Sequence, residues 1–166
     1  SVDQRVELLS NCSKIIFNSE WSKKRFLLNL DVIYYKSDKL EVIHQSINKE
    51  KINIKTKKNI ITFVGKLNSA KGYDLFGKAV IKILNQYPRW KSIVIGDELR
   101  EEINFTHKNL KNIGFQNHKK VLEIFKKTSI SVACSRWEEP FGRTSLEAAS
   151  RGCAVIISNR GGLPET

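Results

Sequence analysis

Residues 59–88 have the sequence NIITFVGKLNSAKGYDLFGKAVIKILNQYP. Residues 60–64 form a short apolar run that Gly65 interrupts, which is typical of a buried strand. Apolar residues then recur at helical spacing over residues 71–87, and Pro88 ends the pattern. The inward-facing stripe of this helix is predicted to comprise Leu75, Phe76, Ala79, Val80, Ile83 and Leu84. A buried strand followed by an amphipathic helix is the repeating unit of a parallel α/β sheet.

The same alternation continues towards the end of the chain. Further strands are predicted at residues 92–95, 110–113, 130–133 and 154–157, and helices at residues 118–127 and 144–151. Apolar strands between amphipathic helices indicate an α/β fold with a Rossmann-like parallel sheet and helices on both faces. Ligands of such sheets bind beyond the carboxyl ends of the strands. Glycines follow the predicted strands at Gly65, Gly96, Gly114, Gly161 and Gly162. Each of them taken alone is also typical of an ordinary turn.

The N-terminal part of the chain is less regular. A helix is predicted at residues 2–12 and a short strand at residues 14–18. Ser19 is a predicted N-cap for a helix that ends near Leu30, and a short strand follows at residues 42–43. Residues 45–59 are polar and rich in lysine, without a sustained period, and we interpret them as a connector.

The composition is that of a globular protein with a strong positive charge. The chain has 166 residues, with 29 Lys and Arg against 17 Asp and Glu, which gives a formal net charge of +12. A solvated cationic surface, docking on anionic lipid head groups and nucleic-acid binding would each explain this charge. We predict no nucleic-acid partner, because no basic platform with interleaved aromatic residues is visible. The apolar runs are too short to cross a bilayer, and no secretory leader is visible.

The cysteines and histidines carry no metal-binding pattern. The chain has 3 Cys and 3 His, and none of them shares a ligand spacing with another. We therefore predict reduced, partly buried thiols and no metal site. The chain begins at Ser1 and contains no Met, so we expect it to be a fragment of a longer protein.

The first candidate site is the segment from Gly65 to Gly72, with the sequence GKLNSAKG. Its spacing fits neither a dinucleotide-binding nor a Walker A loop. It can still seat a diphosphate, because Gly65 permits a sharp turn and a helix begins nearby. Lys66 and Lys71 can then converge on the anion. Solvated lysines beside an ordinary loop remain the alternative interpretation.

The second candidate site is EPFGRTSLE, which places Glu139 and Glu147 eight positions apart. Glu139 lies in a predicted loop beside Gly142, where a carboxylate can accept hydrogen bonds from sugar hydroxyls. Glu147 lies on the following helix, where a carboxylate can bind the two hydroxyls of a ribose, as acidic residues do in dinucleotide folds. We expect both glutamates to share one crevice with Lys66 and Lys71.

These segments resemble the glycosyl transferases group 1 family (family 4), whose members are retaining enzymes with the GT-B architecture. The resemblance rests on the glutamate pair, on Gly65-Lys-Leu…Lys71-Gly72, on Leu146-Glu147-Ala148, on GCAV at residues 152–155, on GGLPE at residues 161–165 and on IIFNS at residues 15–19. Two departures stand out. Lys66 replaces the more common arginine, and His44-Gln45-Ser46 replaces a proline–asparagine–glycine turn.

The resemblance implies a role for each matching position. Lys66 and Lys71 would neutralise the donor diphosphate and stabilise the leaving group, Glu139 would hold the transferred sugar, and Glu147 would bind the ribose. The implied donor site comprises Gly65, Lys66, Lys71, Gly114, Phe115, Glu139, Phe141, Gly142, Arg143, Thr144 and Glu147, with Glu139, Lys71 and Lys66 as its catalytic group. Gly114 and Phe115 would border the base. The donor would be a UDP- or GDP-linked sugar, and no metal or cofactor would be needed.

The resemblance also implies how the chain is organised. Residues 1–44 would be the tail of an acceptor-side domain and the hinge, and residues 45–166 a nucleotide-sugar-binding domain truncated at its C-terminus. The full-length enzyme would transfer a sugar, with retention, to a saccharide or lipid-linked saccharide. It would be cytoplasmic, with peripheral contact to the inner face of an anionic membrane as a further option, and the fragment alone would be inactive. The alternative is a nucleotide- or polyanion-binding module without transfer chemistry.

Overall fold

The computed structural model describes residues 1–48 and 50–166. The helices and strands are, in chain order, α1 (Val2–Asn11), β1 (Ile15–Phe17), α2 (Glu20–Leu27), β2 (Leu40–Val42), β3 (Lys58–Val64), α3 (Tyr73–Gln86), β4 (Lys91–Ile95), β5 (Leu110–Asn112), α4 (His118–Lys127), β6 (Thr128–Ala133), α5 (Arg143–Ser150) and β7 (Ala154–Ile157). Short 3-10 turns lie at Val32–Lys36, Ile54–Thr56 and Leu163–Glu165. None of the described helices is both long and apolar enough to span a bilayer.

The main sheet has five parallel strands in the order β5-β4-β3-β6-β7. The predicted Rossmann-like α/β fold is therefore confirmed. The chain builds outwards from β3 to β4 and β5, and then returns to the other side of β3 with β6 and β7. This reversal creates a switch point between β3 and β6, where the loops leaving the two strands diverge and open a crevice.

Helices cover both faces of the sheet. On one face α3 packs on β3 and β4, in a core of Ile61, Phe63, Tyr73, Phe76, Val80, Leu84 and Val94. On the other face α4 and α5 pack together, in a core of Ile95, Val121, Phe125, Ala148 and Cys153. The first two helices and strands build a smaller cluster, in which β1 and β2 pair in parallel beside α1 and α2.

Helix α3 begins later and faces differently than predicted. Gly72 has a left-handed conformation with φ of 73°, so the helix starts at Tyr73 rather than at Lys71. A Cβ atom at Gly72 would lie 2.0 Å from the Cys134 carbonyl oxygen, which explains why only glycine fits there. The buried stripe runs through Tyr73, Phe76, Gly77, Val80 and Leu84, and the predicted inward positions Leu75 and Ala79 are exposed.

Helix α2 is shorter than predicted. It ends at Leu27, because Leu28 is extended with φ of −55° and ψ of 125°. Asn29 then takes a left-handed conformation with φ of 65°. The predicted end near Leu30 was wrong because an apolar residue continued the helical spacing, and Leu30 instead packs into the small core with Leu27.

Lys57, in the connector, joins three elements of the main domain. Its ammonium group donates to the carbonyl oxygens of Phe125 at 2.8 Å, Thr128 at 2.7 Å and Arg151 at 2.6 Å. These carbonyls lie near the end of α4, at the start of β6 and at the end of α5. Burial lowers the pKa of Lys57, against the opposing effect of the nearby Cys153 thiol.

Candidate active site

A cleft of about 340 Å³ opens at the switch point of the sheet. The end of β3 contributes Phe63, Val64 and Gly65 to its lining, and the end of β6 contributes Ala133 and Ser135. The loop and helix that follow β6 form another wall, from Glu139 to Ser145. The cleft therefore lies where ligands of doubly wound sheets bind.

Lys71 and Glu139 meet in this cleft. The Lys71 ammonium contacts the Glu139 carboxylate, although the two residues are 68 positions apart in the sequence. Both side chains are partly buried, with exposed fractions of 32% and 20%. The cleft thus holds a cation and an anion side by side, each with some of its surface open to a ligand.

The loop that carries Lys71 is tied to the segment before Glu139. The backbone N–H groups of Arg136 and Trp137 donate to the Ala70 carbonyl oxygen at 2.8 and 3.0 Å. Both terminal nitrogens of the Arg136 guanidinium donate hydrogen bonds to the Asp74 carboxylate, at 2.6 and 2.8 Å. This hydrogen-bonded pair lowers the pKa of Asp74 to about 2. The two halves of the cleft are therefore held in fixed relation close to the Lys71–Glu139 contact.

The glycine pair after β7 supports the backbone of Glu139. The Gly162 N–H donates to the Glu139 carbonyl oxygen at 2.7 Å. Gly161 has φ of 58°, and a Cβ atom there would lie 2.2 Å from the same oxygen. Any side chain at Gly161 would therefore displace the loop that positions the Glu139 carboxylate.

The N-terminal segment holds the other side of this loop. The hydroxyl groups of Ser19 and Ser22 both donate to the Pro140 carbonyl oxygen. The His44 ring stacks on the Phe141 ring, with centroids 5.8 Å apart. Residues from the cluster of β1 and β2 thus contact the candidate site directly.

Glu165 links the same segment to the end of the chain. Its carboxylate accepts the backbone N–H groups of Glu20 at 2.7 Å and Trp21 at 2.8 Å, and it lies 3.0 Å from the His44 Nε2 atom. Partial burial acts to raise the pKa of Glu165, but these donors outweigh it and the pKa lies below its usual value. The carboxylate therefore satisfies N–H groups at the start of α2 that lack partners within the helix.

Glu147 lines a second cleft of about 330 Å³, beside the first. Its side chain is only 8% exposed. The Arg143 Nε atom donates to Glu147 Oε1 at 2.9 Å, and the His118 Nε2 atom lies 3.0 Å from the same oxygen. Among the described residues no donor contacts Oε2, so this oxygen is available to a ligand.

The start of α5 forms part of the wall of the first cleft. Its N-cap is Gly142, which provides no side-chain acceptor. The N–H groups of Arg143, Thr144 and Ser145 therefore have no acceptor within the helix or from the cap side chain. All three residues line the cleft. N–H groups without a partner in their own helix and the positive end of the helix dipole favour an anion at this position.

The sequence matches the family described as "Glycosyl transferases group 1" over residues 44–166. This chain belongs to that family. The spore coat protein SA of Bacillus subtilis is 31% identical over 121 residues, which cover 65% of this chain and 32% of that protein. The lipopolysaccharide core biosynthesis mannosyltransferase LpcC of Rhizobium leguminosarum is 31% identical over 119 residues, which cover 65% of this chain and 33% of that protein. The chain thus spans about a third of the length of these relatives.

The fold of this glycosyltransferase-family chain also occurs in solved structures. Anabaena Alr3699/HepE, in complex with UDP and glucose, matches with a TM-score of 0.75 and 20% sequence identity. The match covers 98% of this chain and 49% of that protein. At this identity the similarity shows the fold alone, which is that of the GT-B glycosyltransferases.

The structure divides the predicted crevice in two. The predicted residues that line the first cleft are Gly65, Lys71, Glu139, Phe141, Gly142, Arg143 and Thr144. Glu147 lines the second cleft, and Arg143 lines both. Lys66, Gly114 and Phe115 line neither cleft, and Lys66 and Phe115 are exposed. The roles of these residues stay predictions.

Sequence reasoning overlooked several residues of the site. His118 contacts Glu147, Ser19 and His44 contact the loop that follows Glu139, and Glu165 binds the start of α2. A signal for His118 was present, since it opens a helix just beyond the carboxyl end of β5, at the edge where ligands bind. Within residues 1–48 and 50–166, no group of three or more His, Cys, Asp and Glu side chains is placed to hold a metal ion.

Proposed function

We propose that the full-length protein transfers a sugar from a nucleoside diphosphate sugar to an acceptor, and that this segment supplies the donor site. The observation that carries the proposal is the meeting of Lys71, Glu139 and the start of α5 in one cleft at the switch point. A cation, uncapped N–H groups and a carboxylate together match a donor that carries a diphosphate on one side and sugar hydroxyls on the other.

The diphosphate is assigned to Lys71 and the N–H groups of Arg143, Thr144 and Ser145. Cleavage of the bond between the sugar and the phosphate leaves extra negative charge on the departing diphosphate. Fixed positive groups at this point stabilise the transition state more than the bound substrate, and so increase the rate. Lys66 would add a more distant positive charge from its exposed position.

The sugar is assigned to Glu139 and the ribose to Glu147. The Glu139 carboxylate borders the cleft beside Phe141 and Gly142, where it can accept hydrogen bonds from sugar hydroxyls. Glu147 has one oxygen occupied by Arg143 and His118, and its second oxygen can accept both ribose hydroxyls. Gly114 and Phe115, after β5, would border the base.

The finer features of the reaction follow from the resemblance and the relatives. Retention of configuration and a metal-independent reaction are properties that the resemblance implies. The complex of Alr3699/HepE with UDP and glucose supports a UDP-linked donor, with a GDP-linked donor as the alternative. The name of LpcC supports an acceptor of saccharide or lipid-linked saccharide type. We propose a cytoplasmic enzyme, and its net charge of +12 supports contact with an anionic membrane.

Titration calorimetry of the full-length protein with UDP and GDP tests this proposal. We expect one of the two to bind, and Glu147→Gln to weaken its binding by about 10- to 100-fold, because a charged acceptor of the ribose is lost. Glu7→Gln, on the exposed face of α1, is the control and should leave binding unchanged.

A polyanion-binding module makes the opposite prediction. It would bind inorganic polyphosphate as tightly as a nucleotide, with a steep dependence on salt. Its affinity would be the same in the Glu147→Gln and Glu7→Gln variants. Either this pattern or the absence of nucleotide binding by the wild-type protein would refute the donor site.

A further inference from the structure

Arg143 occupies the boundary between the two clefts. It is the first residue of α5, and it lines both the cleft that contains Lys71 and the cleft that contains Glu147. A nucleoside diphosphate with its ribose at Glu147 and its diphosphate near Lys71 would have to pass this residue.

The Arg143 guanidinium is anchored at one end and free at the other. Its Nε atom donates to Glu147 Oε1, while the side chain as a whole is 70% exposed and that of Glu147 is 8% exposed. No acceptor among the described residues contacts its terminal nitrogens. The guanidinium fork therefore has two donating groups that are available to an anion.

The buried carboxylate keeps this fork in place. Glu147 Oε1 also contacts His118, so two groups on two helices restrict the rotation of the carboxylate. A planar guanidinium that is already fixed through Nε loses less conformational freedom when it binds a phosphate than a free side chain does. The geometry therefore favours a bidentate contact with phosphate oxygens.

Among the described residues, none anchors the Lys66 side chain in a comparable way. It is exposed, lines neither cleft, and its ammonium group is a point charge on a flexible stem. Resting on the proposed function, we infer that Arg143, held by Glu147, is the second cation on the donor diphosphate beside Lys71. Glu147 then serves both halves of the nucleotide, the ribose through Oε2 and the diphosphate through Arg143.

Calorimetry of the full-length protein with UDP and GDP, and with uridine and guanosine, tests this inference. Arg143→Gln should weaken binding of the diphosphate by about 10- to 100-fold, and binding of the matching nucleoside by less than about 3-fold. Lys66→Gln removes a positive charge from the other lysine that the sequence assigns to the diphosphate. It should weaken binding of the diphosphate by less than about 3-fold. Lys127→Gln, at the far end of α4, controls for a general change of charge and should alter neither affinity.

Arg143→Lys separates charge from geometry. It keeps the positive charge but loses the Nε donor and the fork. We therefore expect its affinity for the diphosphate to lie between those of the wild-type protein and Arg143→Gln. The role of Arg143 would be refuted if Arg143→Gln lost no more affinity for the diphosphate than Lys66→Gln, or if it lost equal affinity for the nucleoside and the diphosphate. Neither result would refute the donor site. Failure of the wild-type protein to bind either diphosphate would refute the donor site itself.

Discussion

Replacement of Lys71 by glutamine is expected to lower kcat/KM for sugar transfer by about 100- to 1000-fold in the full-length protein. Lys71 lines the first cleft at the switch point and contacts Glu139. Because the leaving diphosphate gains charge in the transition state, most of this loss should fall on kcat rather than on KM. The variant should also remove the ion pair that Glu139 forms with residue 71.

Release of nucleoside diphosphate from UDP- and GDP-linked sugars, with and without acceptor, measures this effect. Lys78→Gln is the matched control, because Lys78 lies on the exposed side of α3, seven residues further along the chain. Its kcat/KM should equal that of the wild-type protein. If the Lys71→Gln and Lys78→Gln variants turn over within about 3-fold of each other, Lys71 does not stabilise the leaving group.

Lys57→Met is expected to have the largest effect on stability, lowering the free energy of unfolding by about 3 kcal/mol. Methionine fills a similar volume but removes the ammonium group that donates to the carbonyl oxygens of Phe125, Thr128 and Arg151. These oxygens lie between α4, β6 and α5, so the loss should loosen the elements that carry His118 and Glu147. A decrease in nucleotide affinity should therefore accompany the loss of stability.

Urea denaturation followed by circular dichroism gives the change in the free energy of unfolding. Lys58→Met alters the neighbouring lysine, which is exposed at the start of β3, and should change the stability by less than about 0.5 kcal/mol. Equal stabilities of the Lys57→Met and Lys58→Met variants would show that the three contacts of Lys57 contribute nothing.

The fold was predictable because its signals are local. Strands of apolar residues and helices with a period of 3.6 can be recognised within ten to fifteen residues, and α4 and β7 have the bounds that were predicted. The order β5-β4-β3-β6-β7 could not be read in this way, since strand pairing joins residues far apart in the sequence. The facing of α3 was partly wrong because the apolar residues of this helix form a wider stripe than the one it buries, and Leu75 and Ala79 lie outside the buried part.

The candidate site was predictable where it follows from the topology. Lys71 and Glu139 follow β3 and β6, and neighbouring parallel strands end at the same edge, so their meeting could be expected. The contacts of His118, Glu165 and Lys57 depend on how helices and the connector pack across more than 20 residues of sequence. In a chain with 29 Lys and Arg residues, composition does not single out the few cations that face a cleft.

A crystal structure of the full-length protein with bound UDP or GDP tests the central claim most directly. We expect the diphosphate to lie within hydrogen-bonding distance of the Lys71 ammonium and of the N–H groups at the start of α5, with the ribose hydroxyls on Glu147 Oε2. A nucleotide bound elsewhere, with the cleft between β3 and β6 occupied by solvent alone, would contradict the assignment of this cleft as the donor site.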